Sequence, residues 1–134
     1  MKFFTEKELG IEGANAIVKK NMNTLVNKVL DPLREKVGAI RINSGYRSPE
    51  HNRLVGGSST SQHIKGQAVD FVPLKMDIDT VFALIIREFK YDQVILERKN
   101  SRWIHISYIE GKNRQKAMTA IVDKVTGKAT YTNV

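Results

Sequence analysis

Ser61-Gln62-His63-Ile64-Lys65-Gly66-Gln67-Ala68-Val69-Asp70 is the stretch from which the rest of the chain can be read. It starts as a polar loop, bends at Gly66 and enters a run, Gln67–Val72, that reads as a short strand. Side chains alternate along a strand, so Ala68, Asp70 and Val72 share one face. Asp70 is therefore a carboxylate in an otherwise apolar strand, costly to bury unless something pairs with it. A metal held jointly by His63 and Asp70 would supply that partner, and Gly66 would let the chain fold back to bring the two together. The plainer alternative is an aspartate that caps a turn or pairs with a lysine, next to a histidine that hydrogen-bonds in the core.

Upstream, Thr5-Glu6-Lys7-Glu8 is a candidate capping box. Met22, Leu25, Val26, Val29, Leu30, Leu33 and Val37 form one apolar stripe, which predicts a helix over Asn23–Val37, kinked or split at Pro32 and ended by Gly38. Ala39–Ser44 alternates as a strand. Gly45–Thr60 is rich in Gly, Ser and Asn, with a helix start at Ser48-Pro49-Glu50 that leaves His51 on a helix surface. Downstream, Asp77 leads a helix through Phe89. Strands follow at Tyr91–Glu97 and Arg102–Ile109 around a turn at Asn100-Ser101, and Ala117–Val122 with Lys128–Thr132 reads as a terminal hairpin. The expectation is one α+β domain over residues 1–134, with a mainly antiparallel central sheet flanked by helices.

Composition narrows the chemistry. The 134 residues are 41% hydrophobic and 27% charged, ordinary for a globular chain. The longest apolar run, Val81–Ile86, falls far short of the roughly 20 residues that span a bilayer. No cysteine is present, which excludes disulfides, thiolate-held zinc, iron–sulfur clusters and thiol nucleophiles. Met1–Glu6 lacks the apolar core of a secretory signal, so synthesis in the cytoplasm is expected. The net charge is +8, of which +6 falls from Arg98 onward. Such a flank suits an anionic partner such as nucleic acid, an anionic membrane or a wall polymer; the bland reading is a solvated face. No recognised nucleic-acid motif accompanies it, and aromatic residues are only 7%, so no specific nucleic-acid partner is expected.

Trp103-Ile104-His105-Ile106-Ser107 carries a third candidate ligand, His105, on the strand face opposite Ile104 and Ile106. Two histidines and one aspartate make a three-ligand set, the number that catalytic zinc usually takes from protein while leaving a position for water. A general base is then needed, and Glu97, at the end of the preceding strand, is the candidate. Asp92 lies five residues away on the opposite strand face. Glu110 has the wrong parity relative to His105, so both rank below Glu97. Each of these residues also has an ordinary reading: a hydrogen-bonded strand histidine, or a surface ion pair of Glu97 with its basic neighbours.

Ser61–Asp70 resembles the Ser-x-His-x-x-Gly-x-Ala-x-Asp signature of the zinc D-alanyl-D-alanine carboxypeptidase family, which shares a fold with the zinc-binding domain of hedgehog proteins. Ser44-Gly45-Tyr46-Arg47-Ser48, with Asn52 after it, resembles the family's upstream motif. Tyr91–Glu97 and Trp103–Ser107 resemble its closing hairpin. The likeness runs from about Thr24 to Ile109, and the layout is similar to short phage and prophage endolysin-type members. The resemblance implies that one zinc ion is held by His63, Asp70 and His105. It implies that Arg47 binds a substrate carboxylate or the developing oxyanion, that Ser61 and Gln62 line the substrate pocket, and that Tyr46 and Trp103 pack around it. Many members carry their catalytic carboxylate three residues before the last histidine, where this chain has Arg102; Glu97 resembles the hedgehog-like placement. The implied activity is hydrolysis of amide bonds in peptidoglycan stem peptides, as a D-Ala-D-Ala carboxypeptidase or an L,D-endopeptidase. The implied enzyme is a monomer, made in a bacterial host without a signal peptide and acting on the cell wall after release or within a phage particle. The rival reading is a zinc-binding structural or recognition domain of the same fold.

Overall fold

A computed structural model describes residues 1–134. Its helices are α1 (Glu6–Leu9), α2 (Ala16–Leu25), α3 (Asp31–Val37), α4 (Pro49–Leu54) and α5 (Ile78–Glu88). Its strands are β1 (Ile40–Ser44), β2 (Ala68–Pro73), β3 (Gln93–Arg98), β4 (Arg102–Ser107), β5 (Lys116–Val122) and β6 (Ala129–Asn133). All six strands join in one sheet of order β1-β2-β4-β3-β5-β6, antiparallel except for the parallel β3–β5 pair. This is the expected α+β architecture with a mainly antiparallel sheet and flanking helices.

Local signals account for most element ends. Thr5 and Glu8 complete the reciprocal capping box of α1. Asn15 caps α2 by accepting from the Val18 N–H, so the helix starts well before the expected Asn23. The helix runs through Pro32 without splitting in two. Val26–Leu30 widens into a π turn closed by the Asp31 N–H on the Val26 carbonyl, and Pro32 enters the first turn of α3, where its missing N–H costs little. Gly38 ends the helix as expected.

The two sheet faces differ in kind. Val69, Phe71, Val94, Ile104 and Ile106 point into the main core with Leu25, Val29, Leu33, Val81 and Ile85 from the helices. The opposite face carries Asp70, His105 and Glu97, which follows from alternation once the register is set. That register pairs Asp70 with His105, Ile95 with His105, and Glu97 with Trp103. Ile95 on β3 with Met118 and Ala120 on β5 form a small second apolar cluster on this same face.

Gly66 turns the chain from the loop into β2 in the left-handed conformation, φ 72°, and a Cβ there would stand 2.7 Å from the Val18 carbonyl oxygen. Gly56 has a similar φ of 77° but open space around it. Gly56→Ala should therefore lose only the left-handed strain, about 1 kcal/mol, whereas Gly66→Ala adds a backbone clash and should lose about 2–4 kcal/mol. Urea unfolding of the two variants checks this.

Candidate metal centre and groove

His63 sits in a single 3-10 turn, Gln62–Lys65, whose first N–H groups are capped by the Ser61 hydroxyl accepting from the His63 N–H. The imidazole is buried, and its Nδ1 is 2.8 Å from the Gly45 carbonyl oxygen. A carbonyl only accepts, so Nδ1 carries the proton and Nε2 presents a bare lone pair. Nε2 faces Asp70 Oδ1 at 3.3 Å. Across the β2–β4 ladder, His105 Nδ1 lies 3.0 Å from the same oxygen. One donor atom from each of the three residues falls within 4.8 Å of the others.

These separations fit a metal. A tetrahedral ion with bonds of roughly 2.0–2.1 Å spaces its ligand atoms about 3.4 Å apart. The donor chemistry agrees. A carboxylate oxygen and a lone-pair nitrogen face each other in a buried pocket, an arrangement that repels unless a proton or a cation lies between them. His63, Asp70 and His105 are thus brought together as a group that could hold a metal ion.

Arg47 closes the Asp70 side. Its Nε donates to the Ser44 hydroxyl at 3.0 Å, one terminal nitrogen to Asn52 Oδ1 at 3.2 Å, and the other approaches Asp70 Oδ2 at 3.4 Å. Asn52 is buried and fixes the loop by donating to the Ser58 carbonyl. Gly57 packs against this pair, since a Cβ there would meet Asn52 Oδ1 at 2.1 Å. Arg47 therefore both braces the loop and sets a positive charge beside the three donors.

Glu97 lies one residue pair along the sheet from His105, on the same face. Burial raises its carboxyl above the usual glutamate value, and the Asp70 carboxylate adds to this; His105, the Trp103 indole N–H and Arg47 pull the other way. The indole N–H is buried without a hydrogen-bond partner of good geometry. Asp70 is held well below the ordinary value: burial works against the charge, but the contact with His105, joined by His63 when that ring is protonated, outweighs it. His105 is raised: burial opposes its charge, and the Asp70 contact overrides that.

The donors and Glu97 open into a groove of about 630 Å³, a size typical of ligand sites. Ser61, Gln62, Arg47, Gln93, Arg114 and Tyr131 line it. Asp92 and Glu110 do not. Glu110 is exposed beyond β4. Asp92 is fully buried and accepts from Gln62 Nε2 at 2.8 Å and from the Arg114 guanidinium at 2.8 and 2.9 Å. His51 is exposed on α4. Arg102 points to the other face and pairs with Asp79 on α5 at 2.8 Å. Nothing local in the sequence marks Arg114 and Tyr131 as groove residues, because their placement depends on the parallel β3–β5 pairing, which no local pattern signals.

The model of the Peptidase M15 family matches residues 3–107. The chain belongs to the Peptidase M15 family. A comparison with curated proteins finds no match. The M15 match takes in β1 to β4, and with them all three donors, Arg47 and Glu97. It ends before β5 and β6.

The two ionisation shifts give the metal-free M15 domain a bounded pH range. Asp70 is lowered, so its contribution to stability is present above the ordinary 3.8 and lost as pH falls through its lower folded value. His105 is raised, so its contribution is complete below 6.5 and lost as pH rises through its higher folded value. The melting temperature of chelator-treated protein should peak between 3.8 and 6.5 and decline towards alkaline pH. Metal-loaded protein should not show the alkaline decline, and metal loading should itself fall as the histidines protonate. Scanning calorimetry across pH, with and without metal, reads both effects.

Proposed function

We propose that this chain is a zinc peptidase that hydrolyses amide bonds in peptidoglycan stem peptides. The observation that carries the reading is the placement of a half-buried carboxylate, Glu97, beside a two-histidine, one-aspartate donor set in one groove of a Peptidase M15 domain. A zinc ion held by His63, Asp70 and His105 would supply Lewis acidity for activating water and polarising the scissile carbonyl.

The residues around it divide the remaining work. Water adds to the amide carbon while Glu97, on the same sheet face one residue pair from His105, accepts its proton. The carbon–nitrogen bond then breaks, and Glu97 returns the proton to the leaving amine. Arg47, fixed by Ser44 and Asn52, keeps a cation where negative charge develops on the carbonyl oxygen or where a substrate carboxylate docks. Ser61 and Gln62 line the groove beside His63. The open groove and Arg47 suit both a carboxypeptidase and an endopeptidase on such peptides.

Digestion of purified peptidoglycan, with and without chelator, followed by mass analysis of the products, tests the reading. A metal-dependent release of stem-peptide fragments supports it, and intact wall after incubation with zinc-loaded protein overturns it. Glu97→Gln should lower turnover ~10²–10⁴-fold, the usual worth of a placed base, with zinc content and melting temperature unchanged. A non-catalytic zinc module would show no turnover for Glu97→Gln to lose.

The basic C-terminal region serves wall association in this reading. Lys112, Lys124 and Lys128 are exposed and lie outside the groove. Neutralising all three should lower the salt concentration at which the protein leaves insoluble wall, with little change in turnover of a small soluble peptide. Co-sedimentation with wall over a salt series, beside a soluble-peptide assay, separates the two.

A further inference from the structure

The hairpin formed by β5 and β6 lies beyond the family match, yet it builds one wall of the groove through Val122, Ala129 and Tyr131. Its register is informative. Glu97 pairs with Ala120 across β3–β5, and Ala120 pairs with Tyr131 across β5–β6. Facing residues in neighbouring strands share a sheet face, so Glu97, Ala120 and Tyr131 stand in one row above the groove floor. Two strand spacings put the Tyr131 backbone about 10 Å from that of Glu97. The residue between them is an alanine, which leaves the space over it clear for the phenol.

Tyr131 has no structural duty that explains it. It is 54% exposed, it belongs to neither apolar cluster, and no side-chain hydrogen bond acts on its hydroxyl. Partial burial and the nearby Glu97 carboxylate both hold its proton on, so the hydroxyl is a donor. Arg47 stands on the β1–β2 side of the three metal-ligating candidates, and Tyr131 on the β5–β6 side.

We propose that Tyr131 is a substrate-contacting residue: its hydroxyl donates a hydrogen bond to a backbone carbonyl of the bound peptide beside the scissile amide, and its ring flanks the peptide on the side away from Arg47. The inference rests on the peptidase reading above and adds to it a contact from the segment that the family match does not reach. Tyr131 thereby sets how the peptide lies across Glu97, and so which bond meets the three donors.

The test uses zinc-loaded full-length protein and soluble stem peptides prepared from purified peptidoglycan. Tyr131→Phe removes only the hydroxyl and should raise KM about three- to tenfold, the worth of one hydrogen bond, with kcat within about twofold of wild type. Thr132→Ala, one residue along and on the other strand face, should leave both constants unchanged. Binding is read separately in the Glu97→Gln background, where Trp103, the only tryptophan, pairs with the substituted position and reports peptide by its fluorescence. Adding Tyr131→Phe to that background should weaken the dissociation constant by the same three- to tenfold. Unchanged KM and unchanged dissociation constant overturn the role of Tyr131 and leave the peptidase reading standing. Absence of both cleavage by the wild type and peptide binding in the Glu97→Gln background overturns the two together.

Discussion

The Asp70 carboxylate is the constraint around which the rest of the molecule is arranged. It is nearly buried, and both atoms closest to Oδ1 are imidazole nitrogens. The Gly45 carbonyl fixes the tautomer of one of them, so that nitrogen cannot offer Asp70 a proton while the ring is neutral. A buried carboxylate facing a lone pair is a liability of several kcal/mol unless a cation resolves it. The surroundings maintain this arrangement rather than relieve it. Gly45 is pressed against α1, where a Cβ would stand 2.3 Å from the Leu9 carbonyl, so the carbonyl that orients His63 cannot drift. A register irregularity in β1 between Ile42 and Ser44 brings Ser44 opposite Asp70, and from there Ser44 holds Arg47. The scaffold thus holds the three donors in an arrangement that a bound cation would relieve, as expected of a preorganised site that could hold a metal ion.

The sheet separates stability from chemistry by face. The helix side is continuous hydrocarbon, and the groove side is polar with only a small apolar patch at Ile95, Met118 and Ala120. This explains why Arg102 and Glu97 have different fates although they stand at opposite ends of one turn. Arg102 falls on the helix side, where Asp79 takes it up in an exposed ion pair. Glu97 falls on the groove side, where burial and Asp70 work against its charge. A carboxylate in the Arg102 position of this register would face α5 rather than the donors.

What could be read from the sequence follows the range of the interactions. The capping box at Thr5, the stripe through Leu33, the strand around Asp70 and the terminal hairpin are local patterns, and the structure has them close to where they were expected. The meeting of His63, Asp70 and His105 was legible because alternation and a glycine bend act within single segments, and the motif likeness joined the segments. The π turn before Pro32 was not, because proline signals a break equally whether the helix splits or widens. Nor was the work of Asp92. From sequence it is a strand carboxylate competing with Glu97 for the role of base; in the fold it lies just ahead of β3 with all its capacity taken by Gln62 and Arg114. Those partners lie 30 residues before it and 22 after it, and only the tertiary fold pairs them.

That same Asp92 determines how the last quarter of the chain relates to the rest. It ties the 3-10 turn of His63, through Gln62, to the β4–β5 connection, through Arg114. The parallel β3–β5 ladder then fixes the terminal hairpin to the strand that bears Glu97. Residues beyond the family match are therefore held by an ion pair of the exposed Arg114 to the buried Asp92 and by a full strand pairing, not appended to a finished domain. A wall held that firmly keeps Tyr131, Val122 and Ala129 in fixed positions relative to the donors, so side chains on it can discriminate between peptides by geometry. Asp70, His105, Glu97 and the hairpin wall are thus built on one continuous sheet, and the hairpin can be changed at Val122, Ala129 or Tyr131 without touching the strands that carry Asp70 and His105.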